Sequence, residues 1–96
     1  MHEKIVDIIV GESKEVNKKL KNKISVELRE AAPLFGENGI LDSIALVTLL
    51  VAVEQSVEDE FDFPVILADE KAMSQKNSPY QSIGALAQYV GSLLKE

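Results

Sequence analysis

Residues 41–60 read LDSIALVTLLVAVEQSVEDE, and the spacing of their apolar residues decides the fold. Leu46, Leu49, Leu50, Val53 and Val57 recur at intervals of three and four, the pattern of one buried stripe on an α-helix. The stretch predicts a helix from about 43 to 60. Asp42 or Ser43 can cap it, since either side-chain oxygen can accept a free N–H of the first turn. Glu58, Asp59 and Glu60 crowd its other end, where negative charge opposes the helix dipole.

Two weaker helical patterns flank this one. Residues 3–22 read as a first helix, with Ile5, Ile9, Val16 and Leu20 on one face and a solvated face bearing Lys14, Lys18, Lys19, Lys21 and Lys23 among Glu12 and Glu15. Ser82 is expected to cap a last helix, 83–94, with Ile83, Leu86, Ala87, Val90 and Leu93 facing inward. Residues 24–42 form a long first connection, broken by Pro33 and Gly36, with a turn signal at Asn38-Gly39. Its Ile24, Val26, Leu28, Leu34, Phe35, Ile40 and Leu41 are too apolar for a free linker, so it should lie on the core. Phe61 to Ile66 is expected to be extended, because Pro64 bars a helix. A short helix is expected over 68–74, ended by Asn77-Ser78-Pro79, with Met73 as a core filler. Asp69, Glu70 and Lys71 read as ordinary surface charges. The expected fold is all-α: one domain over 1–96, a small bundle of three main helices plus one short helix.

Composition excludes several functions. The chain has 96 residues, no Cys and one His, His2. A disulfide framework, a thiolate metal site and a Cys nucleophile are therefore absent, and with its single His at the terminus the chain is not expected to build a Ser-His-Asp triad or a His-rich metal site. Net charge is −6. Residues 1–30 carry seven Lys/Arg and six Asp/Glu, while 31–96 carry three and ten, so the acidity lies in the body. Such a body repels nucleic-acid phosphates and favours partners with basic patches. Ile5 to Val10 is too short and too charged for a signal peptide. The apolar-rich run Ile44 to Val53 is about half of a bilayer span. A soluble, cytoplasmic, monomeric protein that is not an enzyme is the expectation.

Asp42-Ser43-Ile44 at the mouth of the long helix resembles the Asp-Ser-Leu attachment motif of the acyl carrier protein family. Gly39-Ile40-Leu41 leads into it, Glu58 to Phe63 resembles the acidic-aromatic end of that family's second helix, and Ser82-Ile83-Gly84 to Tyr89-Val90 resembles the start of its last one. The likeness covers nearly the whole chain. It implies that Ser43 carries 4′-phosphopantetheine, transferred from coenzyme A by a phosphopantetheinyl transferase, with Asp42 as part of the motif. Acyl groups would then ride as thioesters on that arm, passed on by acyl-loading and acyl-transferring enzymes. Leu46, Leu49, Leu50 and Val53 would line a groove for the acyl chain.

The departures from the family pattern are specific. Ala45 and Thr48 stand where family members carry acidic residues, and Phe61 arrives about one helical turn, or about 6 Å, late. The face beside Ser43 is Ile44, Val47, Thr48 and Val51. Either the core wraps further round the helix to cover these residues, or they form an apolar docking face for a dedicated partner. Acidic recognition is expected only at Glu54, Glu58 and Asp59. A carrier for a dedicated lipid, lipopolysaccharide or secondary-metabolite pathway fits best. An amino-acyl (D-alanyl-type) carrier and a small helical adaptor with no prosthetic group are the alternatives.

Overall fold

The computed structural model describes residues 2–20, 23–35, 40–67 and 80–94. They form an all-α bundle: α1 (His2–Asn17), a short 3₁₀ segment (Val26–Ala31), α2 (Ser43–Phe61) and α3 (Ile83–Leu94). The expected short helix at 68–74, Met73 and the turns at Asn38-Gly39 and Asn77-Ser78-Pro79 lie outside the described residues.

The stripe of α2 behaves as its spacing predicts. Leu46, Leu49, Leu50, Val53 and Val57 are fully buried. Each such side chain contributes roughly 1.5–3 kcal/mol relative to exposure. The helix ends at Asp62, which takes a left-handed conformation (φ 54°) and donates its N–H to the Glu58 carbonyl at 2.8 Å. A residue in this conformation closes a helix by satisfying one of its orphan carbonyls.

α1 stops earlier than expected, at Asn17 rather than near 22, for a local reason. The Asn17 amide mimics a backbone partner: its Nδ2 donates to the Ile24 carbonyl at 3.0 Å and its Oδ1 accepts the Ile24 N–H at 2.7 Å. Asparagine competes with the helix in this way wherever a turn is available. The Lys23 ammonium then donates to the Asn17 and Leu20 carbonyls, at 2.5 and 3.1 Å, which are left open where the helix ends. Ile5, Ile9 and Val16 are buried as expected, joined by Val6, Val10 and Ser13; Leu20 is half-buried beyond the helix. The Ser13 hydroxyl has no hydrogen-bond partner among the described residues.

The first connection lies on the core. Ile24, Leu34 and Leu41 are buried and Val26, Phe35 and Ile40 pack against them, whereas Leu28 is exposed. The expected plain loop contains the 3₁₀ segment, interrupted at Arg29 (φ 51°), whose guanidinium meets Asp7 of α1 at 2.6 Å. Residues 32–35 run antiparallel to 80–83: Leu34 N–H donates to the Gln81 carbonyl, Phe35 N–H to Tyr80, and Ile83 N–H to Ala32, all at 2.9–3.0 Å. Ser82 caps α3, its Oγ accepting the Ala85 N–H at 3.1 Å. Ile83, Leu86, Ala87 and Val90 are buried and Leu93 is half-buried.

α1 runs antiparallel to α2, since Lys4 pairs with Glu60 at 2.7 Å and Glu12 accepts from Ser56 at 2.7 Å. α1 also packs on α3. The backbones of α2 and α3 make no close approach to each other. The core they share is completed by Leu34, Leu41, Val65, Leu67 and Tyr80, and the buried Tyr80 hydroxyl donates to the Leu67 carbonyl.

Two helical glycines separate close packing from open surface. A Cβ on Gly84 would stand 2.9 Å from the Glu30 carbonyl oxygen, whereas one on Gly11 would meet nothing within 4 Å. Gly84→Ala should therefore lose about 1 kcal/mol net, overpacking of about 1–3 kcal/mol outweighing the helix-propensity gain. Gly11→Ala should gain about 0.5–1 kcal/mol, because only the propensity term remains. Urea denaturation of both variants checks the pair; equal and positive changes would contradict the packing described.

Candidate functional site

Asp42, in extended conformation (φ −84°, ψ 177°), is the residue that caps α2. Its Oδ1 accepts the Ala45 N–H at 2.8 Å, and its carbonyl accepts the Leu46 N–H at 2.9 Å. Ser43 is thereby the first residue of the helix rather than its cap. The first turn of a helix presents orphan N–H groups and the positive end of the dipole, both of which favour an anion at this position.

The rotation of α2 fixes what surrounds Ser43. With the five-residue stripe inside, Ile44 is 79% exposed, Val51 42% and Val47 37%, and Thr48 is exposed as well. Of the two arrangements the sequence allowed, the core does not wrap round to cover this face. The Thr48 hydroxyl donates to the Ile44 carbonyl at 3.0 Å, turned onto its own helix. Ala45 is half-buried.

Two expectations acquire structural detail. Glu54 was expected among the acidic recognition residues, but it is half-buried and its carboxylate accepts the Leu67 N–H at 2.6 Å. It tethers the segment after α2, while Glu58 and Asp59 are exposed. The groove expected along Leu46, Leu49, Leu50 and Val53, one that opens for a chain, is closed here: all four side chains are fully buried members of the core. A guest chain could reach them only by displacing neighbours that now fill the space.

A feature that the sequence reading missed lies at the same pole. Val16, Lys19 and Leu20 from the end of α1 and Asp42, Ile44, Ala45 and Thr48 from the start of α2 line an open depression of about 230 Å³. The signal was present in Asn17. By ending α1 there, it brings Lys19 and Leu20, read as a solvated lysine and a helix-face residue, beside the start of α2.

Among the described residues, no three His, Asp or Glu side chains gather as metal ligands would, and no helix is long and apolar enough to cross a membrane. No protein-family model, curated protein or solved structure matches the chain.

The two roles of acidic residues on α2 can be separated by stability. Glu54→Ala leaves the N–H of buried Leu67 without its carboxylate and should cost about 1–3 kcal/mol. Glu58→Ala and Asp59→Ala, on exposed positions, should stay within about 0.5 kcal/mol. Denaturant midpoints decide it: a neutral Glu54→Ala would return that residue to the surface recognition set.

Proposed function

We propose that this protein is a carrier that holds acyl groups on a 4′-phosphopantetheine arm attached to Ser43. The observation that carries the reading is the position of Ser43: first residue of a long helix capped by Asp42, next to an exposed Ile44. The order of helices, the acidic body and the whole-chain resemblance agree with it.

The residues present fit such a group. A phosphodiester keeps one negative charge, and the amide-rich start of α2 stabilises a charge there. The Ser43 hydroxyl would form the phosphoester as the adenosine bisphosphate half of coenzyme A leaves, a step run by a separate transferase. When bound, the arm supplies the thiol that this chain, without Cys, does not have. What the chain itself contributes is a stiff helix under the attachment point, a cap that holds the backbone there, and a surface for enzymes to dock on. That surface is apolar near Ser43, at Ile44, Val47 and Val51, and acidic at the far end, at Glu58 and Asp59. The pairing of an apolar docking face with this motif favours a dedicated lipid, lipopolysaccharide or secondary-metabolite pathway.

Incubation with coenzyme A, Mg²⁺ and a broad-specificity transferase should add the mass of one phosphopantetheine to the wild type. Ser43→Ala should fold and gain nothing. Intact-protein mass spectrometry reads both: an unmodified wild type would sink the carrier reading and leave the helical adaptor, and an equally modified alanine variant would sink Ser43 as the attachment site.

A second expectation concerns the enzyme that loads the carrier. Burying a valine contributes about 1.5–3 kcal/mol, whereas an exposed ion pair contributes about 0.2–1 kcal/mol and is screened by salt. Val47→Asp or Val51→Asp should therefore weaken docking by at least about tenfold, more than raising ionic strength does. Affinity measured across salt for these variants is the test. Indifference to both substitutions with a steep loss in salt would move recognition to Glu58 and Asp59.

A further inference from the structure

The end of α1 carries a charge opposite to that of the whole chain. Net charge is −6, yet residues 14–23 hold Lys14, Lys18, Lys19, Lys21 and Lys23 against a single acid, Glu15. Lys14, Lys18, Lys19 and Lys23 are exposed. They differ in what engages them. Lys18 pairs with Glu15 at 2.9 Å. Lys23 rests its ammonium on the Asn17 and Leu20 carbonyls. Lys19 makes no ion pair among the described residues.

Lys19 also lines the depression between α1 and α2, with Val16 and Leu20 from its own segment and Ile44, Ala45 and Thr48 from α2. The Leu20 carbonyl that Lys23 meets at 3.1 Å sets a second ammonium next to the same hollow. Ile44 is mostly exposed, and covering it removes apolar surface from water. A cation beside bare apolar surface suits an amphipathic anion, since a charge-assisted bond to a carboxylate is among the stronger polar contacts. Asp42 sets one opposing carboxylate in the lining, but its Oδ1 accepts the Ala45 N–H.

We infer that the depression is a docking pocket for an acidic segment of a partner protein, which seats one leucine-sized side chain among Val16, Leu20 and Ile44 while its carboxylates meet Lys19 and Lys23. The inference does not depend on any group carried by Ser43. Size supports a single anchor. At about 230 Å³ the space lies below the roughly 300–1,000 Å³ of pockets that enclose a whole small ligand, and a few anchors set in pockets carry most of the energy of an interface. Charge selects the occupant. Exposed charges are screened beyond about 8–10 Å in physiological salt, so a short segment in the depression feels the lysines of α1 more than the acidic body. An anionic bilayer or a second copy of this chain presses a broad negative surface against that body, and a flat bilayer does not enter a hollow. The pocket is opposite in sign to Glu58 and Asp59 at the far end of α2, so it takes a different partner, or a different part of one, from the basic surfaces those residues attract.

The test uses the unmodified, isotopically labelled full chain and three synthetic peptides. One has glutamates on both sides of a central leucine, one has lysines in place of the glutamates, and one has serine in place of the leucine. The glutamate–leucine peptide is expected to shift the NMR signals of Val16, Lys19, Leu20, Ile44 and Thr48 and to bind several-fold more tightly than either of the others. Lys19→Glu and Ile44→Ser, both at exposed positions, should each weaken it several-fold, and Lys19→Arg should keep it. Lys4→Glu, the same reversal at the other end of α1, should leave it as it is. Absence of shifts at the lining overturns the inference, as does equal binding of the lysine peptide. Co-sedimentation with phosphatidylserine vesicles, or lining shifts that grow with the chain's own concentration, would overturn it in favour of a bilayer or a second copy. Because the chain carries no arm in this measurement, its outcome is separate from that of the transferase experiment.

Discussion

Burial of the Leu46-Leu49-Leu50-Val53-Val57 stripe is the constraint on which the remaining structure depends. Those five side chains leave α2 one rotational setting about its axis, because a small rotation would pull at least one of them out of the core and push a polar residue in. Everything useful about the site is a consequence of that setting. Ile44, Val47 and Val51 are as apolar as the stripe, yet they lie on the other side of the helix and cannot join it. Their exposure is the remainder left after the core has taken what one face can bury.

The same setting accounts for the pole at which Ser43 sits. Asp42 precedes the stripe by one turn, and its carboxylate stops the helix from starting earlier. α1 is antiparallel to α2, so its end is the part that meets Asp42 and Ile44. Asn17 then matters out of proportion to its size. A helix continued to 22 would carry Lys19 and Leu20 onward along the α1 axis. Ended by the Asn17–Ile24 pair, the chain turns there, and the two residues come to line the same depression as the first turn of α2. One side-chain amide thus shapes the surroundings of a serine that follows it by 26 positions in the chain.

This divides what the sequence could show from what it could not. Strong periodicity was legible: α2, α3, their inward residues and the Ser82 cap all follow from spacing and from the chemistry of a hydroxyl at a helix start. The exposure of Ile44, Val47 and Val51 was not, since an apolar residue off the main stripe reads equally as a wider core or a bare surface, and only the partners available to cover it decide. The bond from the Leu67 N–H to Glu54 was illegible for a related reason. A carboxylate on the flank of a helix reads as solvated until the segment after the helix folds back and offers an amide, a return that begins at the left-handed Asp62. The depression lay further out of reach, because it combines the end of one helix with the start of another. Helix ends are where side chains compete with backbone periodicity, and Asn17 won that competition against a pattern that ran on to Leu20.

The acidic end of α2 has no account in stability. Glu58, Asp59 and Glu60 stand in the last turn, and Asp62 caps it, all where the dipole favours positive charge, each at a cost of about 0.3–1 kcal/mol if exposed at low salt. Among the described residues, Glu60 alone of these has a cation against it, Lys4 of α1. Asp62 also holds a left-handed conformation that glycine adopts without strain. Folding alone would favour lysine or glycine at these positions. Charge of one sign acts at long range as well: in general it repels like-charged surfaces and raises the encounter rate with surfaces of opposite sign. An apolar half beside Ser43 and an acidic half beyond it divide α2 along its length. Under the carrier function proposed above, the acidic half would draw a partner in and the apolar half would hold it once water is squeezed out.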